Sequence, residues 1–177
     1  AEDKWQVLFN GKDLTGWTSI SDEKGFSVVD GTIKAQSKSK KLDHLFFTGD
    51  ENGEIVRFKK FELELWARSE PNSNSGIFFH TDKTLSNKSR MFLGTGYEVQ
   101  LNSTEKEKRK TGSLYAVVDL DETVVDETKW FRVNIVVNGK QITVKLNDKE
   151  VVNYNEPEDP ERPEKRKGRV LNPAGGA

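Results

Sequence analysis

Trp130-Phe131-Arg132-Val133-Asn134-Ile135-Val136-Val137, then Asn138-Gly139, then Gln141-Ile142-Thr143-Val144-Lys145-Leu146, is the stretch that decides the fold. Its side chains alternate with a period of two, the period of a strand, in which successive residues face opposite sides of a sheet. Asn-Gly tolerates the positive φ values of a tight primed turn, so the two runs read as a hairpin. Asn147-Asp148 turns the chain again into Glu150-Val151-Val152-Asn153-Tyr154, a third strand.

The same period recurs upstream. Phe61-Glu62-Leu63-Glu64-Leu65-Trp66-Ala67-Arg68 alternates strictly, with Phe61, Leu63, Leu65 and Ala67 on one face and Glu62, Glu64, Trp66 and Arg68 on the other. Tyr97-Glu98-Val99-Gln100-Leu101-Asn102 does likewise, with Glu98, Gln100 and Asn102 on its polar face. Shorter strand candidates are Gly25–Val29, Thr32–Ala35, Ile77–His80 and Ser113–Val118. No ten-residue stretch carries a helical apolar stripe, and many short strands divided by Gly, Asn, Asp and Ser describe a sandwich or barrel.

Composition agrees. The 177 residues are 33% hydrophobic and 32% charged, and counting the 14 glycines brings the apolar share to about 41%, somewhat below the roughly 45–50% of an average domain. Strands that bury one face only account for that deficit. The length suits one sandwich domain over residues 1–177. A net charge of −1 supplies no field for nucleic acid, and no apolar run is long enough for a membrane span. Nothing in the sequence points to a protein partner. The absence of cysteine excludes disulfides and thiolate chemistry. The chain opens Ala1-Glu2-Asp3-Lys4 without Met, as a processed mature chain or a trimmed one would. Ser37–Lys41 and Thr104–Thr111 read as loops. The stretch 156–169, with three prolines among charges, reads as a charged, Pro-rich surface loop.

Two histidines, His44 and His80, cannot supply a three-histidine metal site. No nucleophile elbow is present, and Gly94-Thr95-Gly96 lacks the third glycine and the helix of a phosphate loop. The polar strand faces carry more. Glu98 and Gln100 share a side of one strand, and Trp66 and Arg68 share a side of another. An indole plane beside a carboxylate, an amide and a guanidinium suits a sugar, whose C–H face stacks while its hydroxyls take paired hydrogen bonds. A solvated outer face with a cross-strand ion pair is the alternative. Asn72-Ser73-Asn74-Ser75-Gly76 is a turn feeding a strand, either an ordinary loop or one that aims His80 or its Asn side chains at a cleft. Asp43-His44 reads as structural.

Several strings in order, Leu8-Phe9-Asn10-Gly11-Lys12-Asp13-Leu14-Thr15-Gly16-Trp17, Asn74-Ser75-Gly76-Ile77-Phe78-Phe79, Gly96-Tyr97-Glu98-Val99-Gln100 and Thr111-Gly112-Ser113-Leu114-Tyr115, resemble the 3-keto-disaccharide hydrolase domain family across nearly the whole chain. The resemblance implies a concanavalin A-like jelly-roll sandwich of two curved antiparallel sheets. It also implies an exported bacterial protein, periplasmic or extracellular, with a carbohydrate or glycoside ligand. Three positions depart from the family pattern. His80 stands where an Arg is usual, Trp66 where a Glu is usual, and Asn102-Ser103 where an Asp is usual. The chain also ends at Ala177, where the family usually continues into one or two further strands, so a domain short of its last strands is expected.

A 3-keto sugar changes what catalysis requires. Its ketone acidifies the C2 proton, so a base can remove that proton, expel the C1 substituent and leave an enone that water hydrates. The expected roles are Glu98 as base or acid with His80 as partner, Gln100 and Arg68 orienting substrate, and Trp66 and Tyr115 stacking on it. Glu64 is the candidate second carboxylate that a conventional glycosidase would need. A divalent metal could polarise the ketone, but the sequence identifies no ligand set and no certain cofactor. The competing expectation is a non-catalytic, lectin-like carbohydrate-binding domain on the same sandwich.

Overall fold

The computed structural model describes residues 5–19, 25–37, 43–49, 56–81 and 94–176. The opening Ala1–Lys4 and most of the Ser37–Lys41 loop lie outside the described residues. The chain divides into two compact units, residues 1–56 (with 177) and 57–176. Every strand pair among the described residues is antiparallel.

The first unit holds β1 (Trp17–Ser19), β2 (Phe26–Val29), β3 (Thr32–Ala35) and β4 (Leu45–Phe47), paired β1 with β4 and β2 with β3. Asp30 and Gly31, both at positive φ, close the β2–β3 hairpin as a primed turn. The Leu8–Trp17 string is a chain of side-chain-closed turns. Asn10 Oδ1 accepts from the amides of Lys12 (2.8 Å) and Asp13 (3.0 Å), and Asp13 accepts from the Thr15 amide (2.9 Å). Trp17 then donates its indole N–H to the Leu8 carbonyl (2.8 Å). Asp43 accepts from Ser19 Oγ (2.7 Å), the Gly25 amide (3.2 Å) and the His44 amide (2.8 Å), and burial lowers the pKa of His44. The Asp43-His44 pair is accordingly structural.

The second unit is a two-layer sandwich. One layer is a four-stranded sheet in the order β10-β9-β8-β5, from β5 (Phe61–Ala67), β8 (Phe131–Asn138), β9 (Gln141–Leu146) and β10 (Lys149–Asn155). The other is β6 (Asn74–Phe79) paired with β7 (Tyr97–Asn102). Alternation selects the inward faces: Val133, Ile135 and Val137 from β8, Ile142, Val144 and Leu146 from β9, and Phe79, Tyr97 and Val99 from the second layer form one buried cluster. Each such side chain contributes roughly 1.5–3 kcal/mol by leaving water. Edge-on ring contacts Phe61–Phe79 (5.7 Å) and stacked Phe79–Tyr97 (5.7 Å) carry the core from one layer into the other.

The long strands match the sequence pattern to within a residue or two, with three informative differences. Asn138 remains in β8 and pairs with Gln141, so the turn residues are Gly139 and Lys140, with only Gly139 at positive φ. β6 begins at Asn74 rather than Ile77, because Asn74 to Phe79 pair residue for residue with Asn102 to Tyr97. Ser113–Val118 makes only the isolated bridges Val99↔Leu114 and Leu114↔Val118. Ala116 at φ 59° folds the segment back on itself there.

Candidate functional site

In β7, Tyr97, Val99 and Leu101 face the core, which turns Glu98, Gln100 and Asn102 to the outer side of the β6–β7 layer. The register sets Phe78 opposite Glu98, Gly76 opposite Gln100 and Asn74 opposite Asn102. On the other edge of β7, Gln100 donates its amide to the Ser113 carbonyl (2.9 Å) and Tyr115 donates its amide to Glu98's (2.9 Å). Leu114 is buried in the core, so Tyr115 comes up beside Glu98.

Both oxygens of Glu98 are held. Oε2 accepts from Arg169 Nη2 at 2.9 Å. With its amide turned so that nitrogen faces acceptors, Gln100 donates to Glu98 Oε1 (3.3 Å) and to the Ser75 carbonyl (3.2 Å). Gly76 makes the room: a Cβ there would lie 2.6 Å from Oε1 and 2.8 Å from Cγ of Glu98. Burial pushes the Glu98 carboxyl above the usual carboxylate range, against the pull of Arg169 and Arg166 and with a small added rise from Glu107.

Arg169 is the site's buried cation, 2% exposed, with its guanidinium over the rings of Phe78 (5.6 Å) and Tyr115 (5.8 Å). Its Nε and Nη1 are buried and have no hydrogen-bond partner among the described residues. A buried donor left unmade costs about 1–3 kcal/mol, more on a charged group, so two of them on one side chain require an explanation. Arg169 arrives on the returning C-terminal segment. Glu156 is buried and accepts from the Tyr97 hydroxyl and from the Leu171 amide (2.9 Å). Burial and the bond to Glu156 push the Tyr97 phenol well above its ordinary pKa. Arg162 donates to the Tyr154 hydroxyl (2.6 Å) and to the Arg169 carbonyl (2.8 Å). Gly168 passes so close to Gly94 that a Cβ there would strike the Gly94 carbonyl. The stretch 156–169 is thus largely exposed at its Pro-rich centre, while Glu156, Arg162 and Arg169 turn inward and bind it to β7 and β10.

Of the residues singled out in the sequence, the fold brings Glu98, Gln100 and Tyr115 together. Where the sequence predicts a sugar on Tyr115, Arg109 (4.6 Å), Arg166 (5.3 Å) and Arg169 (5.8 Å) lie over its ring, and its hydroxyl donates to Glu107 (3.3 Å). His80 is 2% exposed and spans two backbone segments. Its Nδ1 accepts from the Asn172 amide (3.0 Å) and its Nε2 faces the Lys59 carbonyl (3.2 Å), which fixes a neutral ring protonated on Nε2. Burial accordingly lowers its pKa. Asn102 is spent on the 103–111 loop, donating to the carbonyls of Glu107 and Arg109 (both 2.9 Å).

Glu64, Trp66 and Arg68 stand elsewhere. They project from the outer face of the four-stranded sheet, the opposite side of the sandwich from Glu98. There Glu64 faces Arg132 (3.6 Å), Arg68 lies over Trp130 (5.2 Å), and Trp66 is 60% exposed. No cluster of three or more His, Cys, Asp or Glu side chains able to hold a metal occurs among the described residues.

The structure thus defines an all-β sandwich domain with one polar sheet face built around a buried carboxylate–guanidinium pair. The chain belongs to the family of the 3-keto-alpha-glucoside-1,2-lyase-like domain, whose profile matches residues 4–175. Two solved structures, each described as a putative glycosyl hydrolase from Parabacteroides distasonis ATCC 8503, share the fold. One superposes with a TM-score of 0.69 at 24% identity, over 87% of this chain and 73% of its own. The other gives 0.69 at 19% identity, over 98% and 88%. No curated protein matches the chain.

Proposed function

We propose that this domain acts on 3-keto-glycosides by elimination, with Glu98 as the base. The observation that carries the reading is the Glu98 carboxylate itself. It is buried enough for its pKa to rise, braced at both oxygens by Gln100 and Arg169, and seated over a glycine that leaves it space. A base is most effective when its pKa is moved toward the working pH and its geometry is held. Family membership supports a 3-keto-glycoside substrate, and the likeness to the two structures described as glycosyl hydrolases agrees with a glycoside-related role.

Glu98 takes the C2 proton, the C2–H electrons form C2=C3, and the ketone oxygen becomes an enolate. The enolate collapses back to the ketone as the C1–O electrons leave with the aglycone oxygen. That oxygen takes a proton from the Glu98 carboxylic acid or from water. Water then adds across the enone to give the free 3-keto sugar. His80 enters as the staple that joins β6 to the Lys59 and Asn172 backbone. Export to the periplasm or outside the cell belongs to the same proposal. The test is turnover of a 3-keto-glucoside beside its unoxidised parent. Turnover of the keto sugar only, lost in Glu98→Gln with the fold retained, is expected. Saturable binding of both sugars without turnover would replace the enzyme by a lectin-like domain.

A further inference from the structure

We infer that Arg169 receives the enolate oxygen, its two uncommitted nitrogens being the donors that the elimination needs at the ketone. The inference rests on the reading of Glu98 as base and adds the electrophile that reading lacked.

The Arg169 guanidinium offers five N–H bonds, and among the described residues its one hydrogen-bond acceptor is Glu98 Oε2, reached through Nη2. Nε and Nη1 are buried and unpaired among those residues. Two aromatic rings and the Glu98 bond hold the group in place, so it cannot swing out to find water. Donors fixed, dry and unsatisfied in the resting protein are what a developing oxyanion requires, since they need no reorganisation when charge appears.

The neighbouring charges point the same way. Arg166 lies over the same Tyr115 ring, and its guanidinium makes one hydrogen bond, a long one to the Lys165 carbonyl (3.4 Å). Arg109, by contrast, is matched by Asp119 (2.9 Å) and Glu107 (3.5 Å). Once Glu98 has taken the proton and become neutral, Arg169 loses its ion-pair partner. The negative charge that left Glu98 reappears on the ketone oxygen. The Glu98 side chain retains 14% exposure against 3% for Arg169, so solvent reaches the carboxylate more than the guanidinium.

Enolate formation can be read apart from elimination. A 3-keto sugar with no leaving group at C1, 1,5-anhydro-3-keto-D-glucitol, can exchange its C2 proton in D2O but cannot eliminate, and NMR reports the exchange. The experiment compares wild type, Glu98→Gln, Arg169→Met and Arg169→Lys, each checked for its fold by circular dichroism. Rates are followed across pH, because Arg169, Arg166 and Glu107 all bear on Glu98. Wild type is expected to exchange and Glu98→Gln not to. Arg169→Met should lose about 10²–10³-fold on the high-pH plateau, where Glu98 is ionised in both proteins. Its acid limb should also move to higher pH, since the cation that opposes Glu98's upward shift is gone. Arg169→Lys should keep the limb near its wild-type position yet lose at least about tenfold on the plateau, because an ammonium restores the charge and not the planar donors. It also carries the test should the Met variant fail to fold. Plateau rates within threefold of wild type in the folded Arg169 variants would overturn the inference and leave the reading of Glu98 intact. No exchange by the wild type would overturn both.

Discussion

Gly76→Ala probes the site without touching a polar atom. The new methyl would sit 2.6 Å from Glu98 Oε1, 2.8 Å from Cγ and 3.1 Å from Cδ. Optimal carbon contacts lie near 3.5–4.0 Å, so the carboxylate must move by about 1 Å. It cannot do so freely, because Oε2 is tied to Arg169 and Oε1 to Gln100. A misplacement of about 1 Å at reacting groups can cost about 10²-fold in rate, and that is the expected loss on a 3-keto-glucoside. For stability, a lost charge-assisted hydrogen bond costs about 1.5–3 kcal/mol. Removing glycine's unfolded-state freedom returns about 0.4–1 kcal/mol, since Gly76 is not among the positive-φ positions. The net expectation is a destabilisation of about 1–2 kcal/mol, read from urea unfolding. The sign should invert in a Glu98→Ala background, where nothing remains to clash and Gly76→Ala should stabilise by the glycine term alone. Destabilisation of equal size in both backgrounds would show that the methyl strikes something other than Glu98 and refute the packing argument.

Four further outcomes follow from the same geometry. Tyr97→Phe removes the hydroxyl that Glu156 accepts from, and should cost about 1.5–3 kcal/mol in urea unfolding. It should also speed limited proteolysis within 156–172, because Glu156 also anchors Leu171. His80 has a folded-state pKa below its ordinary 6.5, so its stabilisation is complete above pH 6.5 and declines as pH falls through the lowered value. His80→Gln should flatten the fall in stability on the acid side of pH 6.5 by up to one proton's worth, measured as unfolding free energy against pH. Glu98 has the opposite sign: its raised pKa favours the protonated native state, so its contribution is complete below about pH 4.5 and lost as pH rises through the folded value. A carboxyl resonance titrating above the usual range, absent from Glu98→Gln, is the corresponding NMR signature. Trp66→Ala should leave both kcat and KM for the 3-keto-glucoside within twofold of wild type, because Trp66 stands on the outer face of the other layer.

The sequence carried the strands well because period-two alternation is a local property. Phe61–Ala67 and Phe131–Leu146 each bury one face, and each could be read without knowing its neighbours. Face assignment within a strand was therefore legible, and Glu98 with Gln100 emerged on one side. Alternation does not say which layer a strand joins. Trp66 and Arg68 look as wet and as aromatic as a sugar platform, yet pairing with β8 puts them on the far side of the sandwich. His80 failed to stand out as structural because its partners are backbone groups of Lys59 and Asn172, one of them 92 positions away. Arg169 left no local signal at all, since it follows a Pro- and charge-rich run and finds Glu98 only after the chain has returned over β7. Gly76 did leave one: a glycine inside a strand marks a close approach, here by the Glu98 side chain.

The most direct measurement is turnover of a 3-keto-glucoside by Glu98→Gln, with the fold verified by circular dichroism and urea unfolding. Glutamine keeps the shape and an oxygen to accept from Arg169, with its NH2 turned to Gln100, but cannot accept the C2 proton at working pH. The account predicts that turnover disappears while the domain stays folded and still binds the sugar. Undiminished turnover by the folded variant would contradict it.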